Sequence, residues 1–168
     1  MIKKTSFFLI TIILLFATSL SAYAQNDTAI ESFFFKIGGF SEGKVVINID
    51  GNTKKLTWVW AQSFPENLTQ TKLETFIKEE KNYIQVKKST LTDKQLKALE
   101  RELSNCKVKK WNNKYINRDI MDGTEWELRI TFKDKTQLKS VGINKFPKQW
   151  EQFKKAVTEH TEQPLRKL

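Results

Sequence analysis

The stretch Lys44-Val45-Val46-Ile47-Asn48-Ile49-Asp50-Gly51-Asn52-Thr53-Lys54-Lys55-Leu56-Thr57-Trp58-Val59-Trp60 determines the class of fold. Val45, Ile47 and Ile49 alternate with Val46, Asn48 and Asp50, the period of two that sets successive side chains on opposite faces of a strand. Leu56, Trp58 and Trp60 alternate with Lys55, Thr57 and Val59 in the same way. Asp50-Gly51 stands between the two runs, and because both residues tolerate positive φ the chain is expected to turn back there as a hairpin. Outward towards the N-terminus, Ile30 to Ile37 carries Phe33-Phe34-Phe35, and Gly38-Gly39 marks a turn or a bulge after it. The expectation is an antiparallel three-strand meander over residues 30–61.

Downstream, Phe64-Pro65 breaks the sheet. Thr71 and Glu74 have the spacing of a capping box, with Leu73, Phe76 and Ile77 on one helix face. An extended reading of Thr71 to Ile77 stays open, and Tyr83, Ile84 and Val86 suit a short strand. A better-signed helix spans 92–105: Thr92 caps it with Gln95, Leu91 staples onto Leu96, and Leu96, Leu99 and Leu103 line its inner face. Asn105 suits its C-terminal stop. Asp122-Gly123 then turns the chain into a strand with Trp126, Leu128, Ile130 and Phe132 on one side. Glu125, Glu127, Arg129 and Thr131 take the other side, as in a sheet with one buried and one wet face. After a turn at Asp134-Lys135, Leu138 to Ile143 returns as its partner. Pro147 opens a last helix with Trp150, Phe153 and Val157 on one face, and the tail from Pro164 reads as frayed and basic. The sum is one α+β domain, residues 25–168, with an antiparallel sheet of about five or six strands and two or three helices packed on one face.

Residues 1–24 read differently. Lys3 and Lys4 precede an apolar run from Phe7 to Ala17, and small residues lead to Ala22-Tyr23-Ala24. A basic head, a short apolar middle and an A-x-A exit are the parts of a cleavable signal peptide. The run is shorter than the roughly 20 residues of a membrane span. The expected location is therefore the periplasm or the cell exterior, with no membrane span once the signal is removed. The net charge of the chain is +10. The leader carries only two of its lysines and none of its acids, so the remainder stays strongly basic and biased towards anionic partners. Cys106 is the only cysteine, which excludes an intramolecular disulfide, and burial as an inert thiol fits its place at a helix end. Stability must come from packing, which 12 Phe and 5 Trp supply.

Common catalytic constellations are missing. His160 is the only histidine, which excludes metal sites built on two, and no nucleophile elbow, Walker loop or dinucleotide fingerprint occurs. No cofactor is expected. Asp119, Asp122 and Glu125 gather around one turn and could bind a hard cation, and Glu125 and Glu127 share one strand face as paired catalytic carboxylates do, although turn chemistry and a wet strand face explain them more simply. The strongest local signal is Lys107, Lys109, Lys110, Lys114 and Arg118, interleaved with Trp111 and Tyr115. Ammonium groups attract phosphate or carboxylate, and aromatic faces stack on sugars or bases. The competing reading turns Trp111 and Tyr115 inward as anchors of the loop.

Trp111, Tyr115, Asp122-Gly123-Thr124, Trp126, Leu128, Gly142, Asn144, Phe146-Pro147 and Trp150 together resemble a group of small exported bacterial proteins. In that group a helix leads into a W…Y…DGxxW strand and a GxNxFP helix start. The resemblance covers about residues 92–157 and implies an exported α+β domain. It carries no agreed activity, so it transfers no functional residue. The leading functional expectation is a non-catalytic binding module for an anionic glycan, a lipid headgroup or a protein, with nucleic acid ranked behind them. The alternatives are a small hydrolase of an envelope polymer working through carboxylates near 119–125, and a secreted-enzyme inhibitor using an exposed edge of the first strand.

Overall fold

The computed structural model describes residues 29–39, 42–117, 119–120 and 123–165. The leader, Arg118 and Asp122 lie outside these residues. The alternating runs form the expected meander: β1 (Ile30–Gly39), β2 (Gly43–Asp50) and β3 (Lys55–Ala61). After α1 (Gln70–Glu79) come β4 (Gln85–Thr90) and α2 (Asp93–Asn105). A 3₁₀ turn (Val108–Lys110) leads to β5 (Lys114–Ile116), β6 (Glu125–Phe132), β7 (Gln137–Ile143) and α3 (Trp150–Thr161). The strands make one seven-stranded sheet in the order β4-β3-β2-β1-β6-β7-β5. All neighbours are antiparallel except β5 and β7.

Two corrections to the expected architecture follow. The sheet has seven strands and is mixed, because the short β5 docks parallel to β7 and was not expected as a strand. The helices also lie on both faces. Phe33, Phe35, Ile37, Ile47, Trp58, Leu128 and Ile130 face α2 and α3, packing with Leu96, Leu99, Leu103, Phe153 and Val157. On the reverse face, Phe34, Val46 and Val59 pack with Leu68 and Leu73 beneath α1. Sequence alternation explains this: Phe33-Phe34-Phe35 cannot point one way in a strand, so Phe34 requires apolar cover of its own.

Local chemistry also departs from expectation at several joints. The turn after Asp50 runs on to Lys54, which takes the left-handed conformation at φ 58°. Asp50 Oδ1 accepts from the amides of Asn52 and Thr53. Gly51 instead allows close approach, since a Cβ there would strike the Ile30 carbonyl. The N-cap of α1 is Thr69, without a side-chain cap, rather than Thr71. Helix α3 starts three residues after Pro147, which supplies the preceding turn through Trp150 N–H to its carbonyl at 3.1 Å. Pro164 is tied down, accepting from Trp58 Nε1 at 2.7 Å, and Leu165 packs on the core. By contrast, α2 keeps its full capping box between Thr92 and Gln95, and Leu91 is buried with Leu96 in one core.

Candidate functional site

The segment 107–118 divides between core and surface. Lys107 adopts φ 53° at the end of α2, so the chain reverses and drives Val108 and Trp111 inward. Trp111 is buried, donates its Nε1–H to the Cys106 carbonyl at 3.1 Å, and lies 5.1 Å from the Phe153 ring and 6.0 Å from that of Trp126. Tyr115 is half-buried 5.7 Å from Trp126, and its hydroxyl accepts from the Asn112 amide. Trp111 is thus turned into the core, whereas Tyr115 keeps part of its surface exposed.

The lysines part company as well. Lys107 and Lys110 are exposed beside the β6–β7 turn. There Lys109 reaches Asp134 at 3.4 Å and sits 4.4 Å from the Phe132 ring centroid. Asp134 is held down to about 2, first by hydrogen bonds from the Thr136 hydroxyl and amide and then by Lys109. Lys114 projects from β5 on the face away from α2 and α3, by its register opposite Val141. Arg118 is outside the described residues. Lys107, Lys109 and Lys110 lie beyond the last turn of α2, which itself carries no basic residue.

Of the candidate carboxylates, Glu125 and Glu127 are engaged by cations. Glu125 pairs with Lys44 at 2.6 Å. Glu127 is 7% exposed and clamped by Arg129 at 2.6 Å and Lys36 at 3.4 Å. A buried carboxylate held by two cations on the same sheet face is a structural pair whose separation is costly. Among the described residues no group of three His, Cys, Asp or Glu side chains could hold a metal ion. An open groove of about 560 Å³ between α1 and the β3–β4 edge is lined by Lys55, Thr57, Glu74, Lys88 and Thr90. Its most prominent charges are already joined, Lys88 to Glu74 at 2.8 Å. The inhibitor reading through a free first strand is overturned, because β1 lies at the sheet centre between β2 and β6.

A different surface gathers what the sequence reading passed over. Ile116, Ile120, Ile143 and Phe146 are 39%, 48%, 41% and 39% exposed. Ile116 lies opposite Ile143 across β5 and β7. The Ile120 carbonyl accepts from Asn144 Nδ2 at 3.0 Å, and Phe146, two residues on, stacks on Trp150 at 5.0 Å. Ile116 and Ile143 therefore adjoin at one corner of the sheet, on the face away from α2 and α3, whereas Phe146 lies against Trp150 of the main core. Lys114 and Lys139 stand on the same open face, next to Ile116 and Val141 on their strands. The corner is held rigidly from beneath. A Cβ on Gly142 would collide with the Trp126 indole, and Trp126 Nε1 donates to the Lys145 carbonyl at 3.0 Å. Alternation in β7 signals the exposed Ile143, but only the pairing with β5 reveals that Ile116 joins it.

No family model matches the chain, and none of the curated proteins or solved structures does so. Among the described residues no helix is long and apolar enough to cross a membrane.

Proposed function

We propose that this chain is an exported, non-catalytic binding module that engages an acidic protein partner at the β5–β7 corner. The observation that carries the reading is the cross-strand pair of Ile116 and Ile143, 39% and 41% exposed, on the same face as Lys114 and Lys139. Contiguous apolar surface next to charge is how interaction sites differ from ordinary surface. The magnitudes describe a modest binder. Fully burying an isoleucine contributes about 1.5–3 kcal/mol, and Ile116 and Ile143 are already more than half buried, so each retains roughly 1 kcal/mol to gain. Exposed ion pairs at Lys114 and Lys139 add about 0.2–1 kcal/mol each. Side chains alone therefore give weak, salt-sensitive association. Export is supported by the leader, with its basic start, short apolar run and Ala22-Tyr23-Ala24 exit.

The test combines location and site. Cell fractionation with N-terminal sequencing is expected to find the protein outside the cytoplasm beginning at Gln25; full-length protein in the cytoplasm would remove the export half of the proposal. Envelope extract is then passed over immobilised protein, over an Ile116→Glu/Ile143→Glu variant and over a variant with Lys107, Lys109 and Lys110 changed to Gln. Loss of a specific protein on the first variant alone supports the corner. Loss on the second alone moves the site to the 3₁₀ turn and favours an anionic ligand there.

A further inference from the structure

The backbone of β5 is polarised in a way the side chains are not. Val141 N–H donates to the Asn113 carbonyl at 3.0 Å and Asn117 N–H to the Ile143 carbonyl at 2.9 Å, with Tyr115 opposite Gly142. In a parallel ladder that register turns the peptide groups of Asn113, Tyr115 and Asn117 towards β7 and those of Lys114 and Ile116 outward. β5 is the last strand of the sheet, and among the described residues no backbone group pairs with those outward donors and acceptors. The opposite edge, β4, is guarded: Lys87 lies 5.3 Å over the Trp58 ring, Lys88 pairs with Glu74, and five of its six residues are exposed without an apolar anchor. Lysine-rich edges of that kind resist pairing with another chain. The β5 edge instead has an apolar platform directly beside it.

We propose that β5 takes up an extended, acidic segment of the partner protein as an additional strand. The inference rests on the corner being the binding surface and adds how the partner is held. Outward amides and carbonyls of Lys114 and Ile116 supply the ladder hydrogen bonds, while alternate partner side chains fall beside Ile116 and beside Lys114. The first set is apolar and the second acidic. A second copy of this chain is a poor occupant, since pairing β5 with β5 brings lysines together between two strongly basic molecules.

Amide hydrogen exchange on the protein, with and without a synthetic peptide alternating Glu and Val, reads the mode directly. The Lys114 and Ile116 amides are expected to slow about tenfold or more on saturation, while the Tyr115 and Val141 amides, already bonded, change little. The same peptide N-methylated on alternate residues is expected to lose this protection in one of its two phases. Shifted Ile116 and Ile143 methyl resonances without protection at Lys114 and Ile116 would overturn strand addition and leave the corner reading standing. No change in either methyls or amides would sink both. Lys114→Pro removes one outward N–H and is compared with Lys114→Gln, which removes only the charge. Proline is expected to abolish binding and glutamine to weaken it severalfold, with unchanged exchange at Val141 certifying the sheet. Equal binding by the two variants would count against strand addition.

Discussion

Cys106 sits at the C-cap of α2, fully buried, with its carbonyl engaged by the Trp111 indole. Burial pushes its thiol up from 9.0 to about 11, with Glu102 adding in the same direction. A raised thiol pKa means that the folded state holds the proton more tightly than the unfolded chain. The stability this contributes is complete below pH 9 and is lost as pH rises through the window from 9 to about 11. Alkylation of Cys106 at pH 8–9 is expected to be far slower in the native protein than in urea; a native rate matching that of a free thiol would contradict its burial. That burial was legible from one cysteine at a predicted helix end. The inward turn of Trp111 was not, because an aromatic between lysines has the same local sequence whether it faces core or solvent. What decides it is the left-handed Lys107, a conformation that lysine does not announce.

At the scale of elements, α2 shows what local sequence specifies well. Thr92 Oγ1 accepts from the Gln95 amide at 3.1 Å, and the Gln95 side chain returns a bond to the Thr92 amide at 2.9 Å. Thr92→Ala is expected to lower stability by about 0.5–2 kcal/mol, measured as a shift in urea midpoint with unchanged slope, whereas Thr71→Ala should have little effect. Equal losses would mean that Thr71 is the working cap of α1 after all. The contrast between these helices has a physical source. Both show the Thr-x-x-Glu/Gln spacing, but α1 already begins at Gln70, and Glu74 is drawn away to Lys88 on β4. β5 was hidden for the opposite reason. Three residues have no readable period, and this strand exists because β7 offers it a ladder.

On the scale of the whole molecule, the sheet separates two apolar layers of unequal size. α2 and α3 cover the larger one, which includes the rings of Phe35, Trp111, Trp126, Trp150 and Phe153. The smaller layer has five buried residues, Phe34, Val46, Val59, Leu68 and Leu73, with α1 as its lid. The meander and the antiparallel β6–β7 pair could be read from alternation, but the strand order could not, since β1 meets β6 across a sequence gap of about 90 residues. Nor does alternation reveal which half of the reverse face stays open and which half α1 covers. This inequality predicts an order of opening. Amides of α1 and β4 are expected to exchange before those of β1, β2 and β6, because they share the smaller cluster and an outer edge of the sheet. Leu73→Ala, expected to cost about 2–5 kcal/mol at so buried a site, should speed exchange in α1 and β4 at low denaturant. Amides of β1 and β6 should accelerate only as far as the global stability falls. If all of these elements exchanged together in both proteins, the two layers would form a single cooperative unit and the corner at β5–β7 could not be treated as independent of α1. Separate exchange would instead let partner binding at that corner be measured while α1 opens and closes.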